Sequence, residues 1–502
     1  MTSFAQKCGL HNAARHSALE RTATLIEATD VELVRFAWCD LHGMLRCKTI
    51  VASKAIRAMM NGVGMVGTLL LKDSADRTAF PVFDEKANFH LPGFEGAGNV
   101  MLLADPASFQ QLPWASKTGW VQCQAWHANQ EHVEQQVGEP VAFDTRWVLQ
   151  TALAKLSAAG YGMTCGLEVE FHIYKLPEDA TSSQFDPMQA NWPGPAPCVS
   201  MVHPGYQLLS EQWADMADAP LRIVQHTAQA LGLPLVSLEI ELGPSQFEAV
   251  FEPTDALQAA DNMVLFRSAV KQALRRAGYH ATFMCRPPFP HIMSSGWHLH
   301  QSLTTMGTGT NAFMRDAPLP GSTPDQAQHT LSPAGEQFLA GLLGHAHGMT
   351  AFSTPTINGY GRFQPNALAP QAAVWGRDNR GAMLRVMGGA KDNATRIENR
   401  IGEPAANPYL YIASQIYAGL DGIQRQLAAP PATASPYATG DVQLPGDLGA
   451  ALQALANDAA FATAFSTEFI DYYTRIKQLE ITRYEAAVDN CEWQRREYFG
   501  RI

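Results

Sequence analysis

The chain has 502 residues, 46% of them apolar, and 47 acidic against 36 Lys and Arg residues give it a formal charge of -11. The length allows about three domains, and the acidic balance argues against a dedicated nucleic-acid or anionic-membrane binder, because both partners attract basic patches. No apolar run reaches the ~20 residues of a membrane span, and the eight cysteines form no CxxC pair, so we expect a cytoplasmic protein with reduced thiols.

The N-terminal part predicts a β-hairpin followed by a short helix. Residues 31–38 are rich in Val, Phe and Trp, and Met44–Val51 predicts the returning strand after a turn at residues 40–43. We expect Ser53 to cap a helix over Ser53–Met60 that Gly62 ends. The polar stretch 130–143 predicts a domain boundary.

The second part mixes strands and helices without a regular alternation, which favours an α+β fold over a doubly wound sheet. Asp144 predicts the cap of a helix that Gly160 ends, and Asp255 predicts the start of an amphipathic helix that ends near Gly278. Strands are expected at 166–174, 235–251, 296–303 and 383–400, a helix at 405–423, loops at 175–205 and 429–447, and two helical segments after residue 447.

Four segments place ionisable side chains two residues apart, so that on a strand they share one face. These sets are Glu168 and Glu170, then Glu239 and Glu241 with Glu248 beyond a Gly-Pro turn, then His298 and His300, and finally Arg396, Glu398 and Arg400. Carboxylates crowded on one face repel each other unless a cation lies between them. Several carboxylates with a neutral imidazole favour Mg²⁺ or Mn²⁺ over zinc.

Each segment also has an ordinary structural interpretation. A Glu-x-Glu strand is most often the solvated face of an antiparallel sheet, His-x-His is more often structural than ligating, and Arg-x-Glu-x-Arg is commonly a surface ion-pair ladder. The neighbours weaken that interpretation, because Leu167, Val169 and Phe171 make the other face of the first strand apolar. The carboxylate face is then the polar face of a core strand.

Arginines recur in a largely apolar stretch, at Arg362, Arg377, Arg380 and Arg385. Arginine suits a two-pronged grip on carboxylate and phosphate oxygens, and carboxylate-held metals with several arginines are typical of phosphoryl transfer. The sequence has neither a GxxxxGK[ST] loop nor the HRD and DFG motifs of protein kinases. Phosphate would therefore be bound in a way that differs from both of these enzyme classes.

In order, these segments resemble the glutamine synthetase superfamily over nearly the whole chain. The specific matches are SSGWHLHQS, similar to that family's GSGMHxHxS, and RIENRIGEPAANPYL, similar to RIExRxPDPAANPYL. The resemblance implies a small N-terminal β-grasp domain at residues 25–135 and a large catalytic domain with a curved antiparallel sheet at 136–502. It also implies a homo-oligomeric ring, a dodecamer, with active sites between subunits.

The resemblance further implies the reaction: ATP phosphorylates the γ-carboxylate of L-glutamate, and an amine nitrogen displaces the phosphate, with two or three Mg²⁺ or Mn²⁺ ions per site. By position, Glu170, Glu241 and Glu248 would hold one ion, and Glu168, His298 and Glu398 another. Arg362 and Arg400 match arginines that grip glutamate, and Arg380 and Arg385 match positions near the transferred phosphoryl group. The expected nucleotide-binding residues are His300, Ser302, Arg385 and Arg396.

The sequence departs from the family pattern at positions that would contact the amine. Glutamine synthetases carry a Glu in a segment like RLVPGYEAP and an Asp in an FDGSS-like segment, and here the matching positions hold Leu368 and, in a looser alignment, Val66 or Gly67. Tyr206 still matches an aromatic of that pocket. We therefore expect a γ-glutamylanilide, γ-glutamylisopropylamide or γ-glutamylpolyamine synthetase type of ligase with an apolar or aromatic amine such as aniline, acting without nucleic acid or membrane.

Three alternatives stay open at this stage. The chain could be a glutamine synthetase that recruits other carboxylates for ammonium, such as Asp73 or Asp76. It could be a polyamine ligase with an acidic residue deeper in its amine channel. It could also be a non-catalytic relative, which the competent side chains at all predicted metal positions disfavour.

Overall fold

The computed structural model describes residues 2–84, 91, 93–128, 138–177, 188, 190–364, 368–438 and 442–502. The chain divides into unit 1, residues 1–148 and 229–232, and unit 2, residues 149–228 and 233–502. The predicted boundary between residues 135 and 136 lies outside the described residues. Within the part of the chain that is described, no helix combines the length and apolar character needed to cross a bilayer.

Unit 1 is a small sheet with helices. Its helices are α1 (Phe4–Lys7), α2 (Ala13–Ala28) and α3 (Ala52–Asn61). Its strands are β1 (Leu33–Cys39), β2 (Leu45–Val51), β3 (Val63–Val66), β4 (Asn99–Ala104), β5 (Gln110–Gln111) and β6 (Thr118–His127). In the described residues the strand order is β2-β1-β6-β4-β3, with β5 beside β6.

The predicted hairpin of unit 1 is confirmed, whereas the predicted helix cap is wrong. β1 and β2 pair antiparallel, and β1 lies parallel to β6, which agrees with the expected β-grasp domain. Helix α3 spans Ala52–Asn61 and stops at Gly62 as expected, but Val51 occupies the N-terminal cap position and no side chain caps the helix. Strand β2 leads directly into the helix, so Ser53 lies inside its first turn.

Unit 2 is an α+β unit, as predicted, and α4 (Thr145–Ala158) begins in unit 1 and ends in unit 2. Its strands are β7 (Tyr161–Lys175), β8 (Ser200–Met201), β9 (Leu235–Ile240), β10 (Gln246–Asp255), β11 (Tyr279–Thr282), β12 (Trp297–Thr305), β13 (Trp375–Arg377), β14 (Leu384–Met387) and β15 (Arg396–Gly402). Its further helices are α5 (Glu211–Met216), α6 (Asp218–Ala230), α7 (Ala256–Arg276), α8 (Pro333–Gly344), α9 (Ala346–Ser353), α10 (Pro408–Gln424), α11 (Leu448–Ala456), α12 (Ala459–Phe465), α13 (Thr467–Glu485) and α14 (Asn490–Gln494).

The caps of two predicted helices are confirmed, and the C-terminal region is more divided than expected. The Asp144 carboxylate accepts a hydrogen bond from the Trp147 N–H, and Asp255 caps α7 in the same way. Four helices rather than two follow residue 447, because Asp458, Ser466 and Asp489 each cap a new helix within that stretch.

The sheet of unit 2 has one face covered by helices and one polar face. Among the described residues its strands run in the order β13-β14-β15-β12-β7-β10-β9, with β8 and β11 also beside β7. On the covered face, the Phe171 ring of β7 lies 5.9 Å from Phe266 of α7, and the Trp297 ring of β12 lies 5.1 Å from Tyr411 of α10. Because side chains alternate along a strand, the intervening Glu and His residues point to the opposite face.

Helices α8 and α10 approach each other closely at glycines. A Cβ atom added to Gly341 would lie 2.1 Å from the Ala418 carbonyl oxygen, and one added to Gly422 would lie 2.1 Å from the Gln337 carbonyl oxygen. Backbone carbonyls cannot move aside as side chains can, so this contact requires glycine. The packing of α8 on α10 in turn supports the sheet through the Tyr411 contact.

We predict that Gly341→Ala lowers the free energy of unfolding by roughly 1–3 kcal/mol, because the added methyl group overpacks the helix contact. Gly344→Ala in the same helix is the matched control, since nothing lies within 4 Å of its added Cβ, and it should be neutral or mildly stabilising. Urea or thermal unfolding of both variants measures the difference. Equal stability of the two variants would contradict the described helix contact.

Candidate active site

Adjacent strands bring the predicted ligands together on the polar face of the sheet. Strand β7 lies between β10 and β12, and β12 lies beside β15. The register pairs Glu170 with Glu248, Glu168 with His298, and His300 with Glu398. Side chains on paired positions of antiparallel strands point to the same face, so the pairing alone assembles the cluster.

Three carboxylates form the first group: Glu170, Glu241 and Glu248 each offer one oxygen, and these oxygens lie within 4.8 Å of one another. Glu241 follows β9 in a tight turn closed by the hydrogen bond from its N–H to the Gln246 carbonyl, at 3.0 Å. Burial, and then the neighbouring carboxylates, raise the pKa of Glu248 to about 10 and that of Glu170 to about 7. This crowding is costly without a cation, and an all-oxygen donor set of this kind fits a hard divalent ion.

His298 lies at the centre of a second group. Its Nδ1 atom is 3.4 Å from Glu168, 3.7 Å from Glu398 and 4.0 Å from Glu248, measured to carboxylate oxygens. Burial, and then the charge of Arg400, lower the pKa of His298 to about 4, so its imidazole is neutral and able to ligate a cation. Glu248 therefore lies within reach of both groups, which was not expected from the sequence.

Arg362 and Arg400, the two arginines expected to grip glutamate, line this cluster, and Arg380 contributes its main-chain carbonyl. Arg362 is buried, its Nη1 donates to the Arg400 carbonyl at 2.8 Å, and its Nη2 lies 3.5 Å from Nε2 of His298. Arg400 donates to the Glu398 carboxylate and, through Nε, to the Arg380 carbonyl at 2.9 Å. The Arg380 side chain itself is exposed.

Glu398 is held by arginines on both carboxylate oxygens. Arg385 Nη1 donates to Glu398 Oε2 at 3.0 Å, while Arg400 donates to Oε1. Arg385 also pairs with the exposed Asp378 through Nε at 2.9 Å. Glu398 is fully buried, so these two partners compensate for the loss of its hydration.

A cavity of about 410 Å³ opens beside the cluster, a size typical of small-ligand pockets. Three of the predicted nucleotide-binding residues, His300, Ser302 and Arg396, line it together with Glu168, whereas Arg385 does not. Arg396 Nε donates to His300 Nδ1 at 3.1 Å, and His300 Nε2 lies 2.9 Å from a Glu168 oxygen. His300 therefore contacts both Arg396 and the Glu168 carboxylate, and it connects the cavity to the carboxylate cluster.

The expected amine-pocket residues of unit 2 are exposed. Leu368 is 60% and Tyr206 is 55% exposed, and each has a positive φ angle. The Leu368 carbonyl accepts a hydrogen bond from Arg400 Nη2 at 3.3 Å, and the Tyr206 hydroxyl donates to the His291 carbonyl. Residues 365–367 of the matching segment lie outside the described residues. In unit 1, Val66 ends β3 and is 39% exposed.

Two further residues of the site did not stand out in the sequence. The Tyr437 hydroxyl donates to the Ala369 carbonyl at 3.2 Å, next to Leu368, and Gln246 Nε2 donates to Glu170 at 3.1 Å. Gln246 could have been found, because it lies two residues before Glu248 on one strand and shares its face. Tyr437 lies in a Pro-rich loop, where no periodicity indicates a contact.

Comparisons with known proteins agree with this geometry. Residues 142–496 match the family described as glutamine synthetase, catalytic domain. The chain is 35% identical to a γ-glutamylanilide synthase of Acinetobacter sp, covering 99% of both chains, and 30% identical to a glutamate–isopropylamine ligase of Pseudomonas sp, covering 94% of this chain and 96% of the relative. It also resembles a solved structure titled "Apo GmaS without ligand", with a TM-score of 0.73 and 27% identity over 94% of this chain and 98% of the other.

The match spans the polar sheet face, the cavity beside it and the arginines that hold Glu398. The chain belongs to the glutamine synthetase family and is an ATP-dependent ligase.

Proposed function

We propose that this enzyme joins the γ-carboxylate of L-glutamate to an apolar or aromatic primary amine such as aniline. The γ-phosphoryl group of ATP is transferred to a carboxylate oxygen of glutamate, and the amine nitrogen then attacks the acyl carbon as inorganic phosphate leaves. The observation that carries the proposal is the apolar side chain of Leu368 at the position where glutamine synthetases have a Glu. The names of the two relatives, an anilide synthase and an isopropylamine ligase, support it.

The charge of the amine decides between substrates at such a pocket. Ammonium and alkylammonium ions lose hydration energy on entering an apolar pocket, and without a carboxylate partner the loss amounts to several kcal/mol. An arylamine is uncharged near neutral pH and gains from apolar contact. An apolar residue such as Leu368 in place of a carboxylate therefore favours the arylamine.

Asp73 and Asp76, the carboxylates that could replace the missing ammonium-binding residues, already have hydrogen-bond or ion-pair partners within unit 1. The Asp73 carboxylate is buried and accepts from the N–H groups of Ala75 and Arg77 at 3.0 and 2.8 Å. Asp76 pairs with Arg46 at 2.8 Å. These contacts explain both carboxylates structurally, which argues against a glutamine synthetase that uses them for ammonium.

We further propose that the polar sheet face holds two or three Mg²⁺ or Mn²⁺ ions. The first group supplies Glu170, Glu241 and Glu248, and the second supplies Glu168, His298 and Glu398. Bound ions would neutralise phosphate charge during phosphoryl transfer. Arg362 and Arg400 would hold glutamate, Arg380 and Arg385 would lie near the transferred phosphoryl group, and His300, Ser302 and Arg396 would contact the nucleotide.

The same proposal includes a homo-oligomeric ring, a dodecamer, with active sites shared between subunits, and a cytoplasmic location. The family resemblance supports the ring. No disulfide joins any of the eight cysteines, all of which lie within the described residues, and this suits a reducing compartment.

An amine panel tests the substrate proposal directly. We expect phosphate release with glutamate and ATP-Mg²⁺ to show a kcat/KM for aniline or another apolar amine at least about tenfold above that for ammonia, a difference of ~1.4 kcal/mol in transition-state binding. Putrescine and spermidine serve as the polyamine comparison. A preference for ammonia would overturn the apolar-amine assignment, and a preference for polyamines would favour the polyamine ligase.

Two substitutions separate the choice of amine from the phosphoryl step. Leu368→Glu should shift the kcat/KM ratio toward ammonia by about tenfold or more while acyl-phosphate formation persists, because a carboxylate now meets the ammonium ion. Glu398→Ala should abolish turnover with every amine, because it removes a proposed ligand and the partner of two arginines. An unchanged amine profile in Leu368→Glu would mean that position 368 does not line the pocket.

Metal affinity tests the first ligand group without reference to turnover. We expect Glu241→Gln to weaken Mn²⁺ binding, measured by electron paramagnetic resonance on the nucleotide-free protein, by at least about tenfold. Glu239→Gln is the matched control, because it removes the same charge two residues earlier, where Glu239 accepts a hydrogen bond from Ser237. If both variants lose affinity equally, net charge rather than ligation explains the effect.

A further inference from the structure

One buried amide side chain contacts a carboxylate of the first group and the turn that carries another. Gln246 is the first residue of β10 and is 1% exposed. Its Nε2 atom lies 3.1 Å from Glu170 Oε2, 3.0 Å from the Ser295 hydroxyl and 3.2 Å from the Ser294 carbonyl. Its Oε1 atom accepts from the Gly243 N–H at 2.9 Å.

These bonds connect three separate pieces of chain. Glu170 lies on β7, Gly243 lies in the turn that carries Glu241, and Ser295 lies in the segment that leads into β12. A Cβ atom added to Gly243 would lie 2.5 Å from Gln246 Oε1, so the turn is pressed against the amide. One side chain therefore links the turn that carries Glu241 to the Glu170 carboxylate, in addition to the backbone pairing of the strands.

The bonds also fix the orientation of one carboxylate. The Gly296 N–H donates to Glu170 Oε2 at 2.8 Å, and Gln246 donates to the same oxygen. With both donors on Oε2, the Glu170 side chain is held in one orientation, and Oε1 is left for a cation. An amide suits this position because it supplies a donor to Glu170 and an acceptor to Gly243 without adding charge.

We propose that Gln246 is a positioning residue for the Glu170–Glu241–Glu248 group, which presets the group for a divalent cation. This inference rests on the proposed metal role of that group. Hydrogen-bond partners of metal ligands typically change metal affinity by 10–100-fold when they are replaced. A purely structural glutamine would instead change stability and leave metal affinity unaltered.

The test compares Gln246→Met, which keeps the approximate shape without the polar groups, with Gln246→Glu, which keeps an acceptor for Gly243 but repels Glu170. Gln415→Met is the control, because Gln415 is also fully buried but accepts from Gln301 and Asn399 on the covered sheet face. For each variant, Mn²⁺ affinity is measured by electron paramagnetic resonance, and the melting temperature is measured without metal.

We expect both Gln246 variants to lose about 10–100-fold in Mn²⁺ affinity, with activity restored by raising Mn²⁺ and the amine preference unchanged. Gln415→Met should lose stability while its Mn²⁺ affinity stays at the wild-type value. Wild-type affinity in either Gln246 variant overturns the proposal, even if the other fails to fold. A wild-type protein that binds no Mn²⁺ overturns the metal role as well, whereas an ammonia preference overturns only the amine assignment.

Discussion

The main physical constraint on unit 2 is the crowding of carboxylates on one face of a largely buried sheet. Glu168, Glu170, Glu248 and Glu398 lie on neighbouring strands, with Glu241 at the adjoining turn. Like charges at such distances destabilise a fold unless positive charge lies among them. The positive charges of Arg362 and Arg400 offset part of the repulsion among the carboxylates. The proposed divalent cations would offset the rest.

The remaining features of the site keep this arrangement rigid. The helices on the covered face hold the strands in register, and the register decides which carboxylates face one another. The His300 side chain contacts both Arg396 and Glu168, so it links the positions of these two side chains. In such a site, a shift of one strand by one residue would turn every proposed ligand on that strand to the wrong face.

Local sequence patterns predicted which residues share a face, and the structure confirms this for Glu168 and Glu170 and for His298 and His300. They could not predict that β12 lies between β7 and β15, because those pairings join residues about a hundred or more positions apart. The family resemblance implied that Glu168, His298 and Glu398 come together, but it gave no strand order. The prediction that Ser53 caps a helix was wrong, because residue propensities do not indicate that a strand runs directly into the helix. The helices after residue 447 were merged because no Gly or Pro separates them strongly in sequence.

The bond between Arg400 and the main-chain carbonyl of Leu368 has a consequence for how this enzyme can change. The anchor involves no side-chain atom of residue 368, so any residue there keeps the loop tied to the charged cluster. Natural variation or design can therefore alter this position without disturbing the phosphoryl-transfer machinery. The positive φ angle limits which residues fit at position 368, because residues branched at Cβ are strained there, so such variation should be confined to residues that are not branched at Cβ.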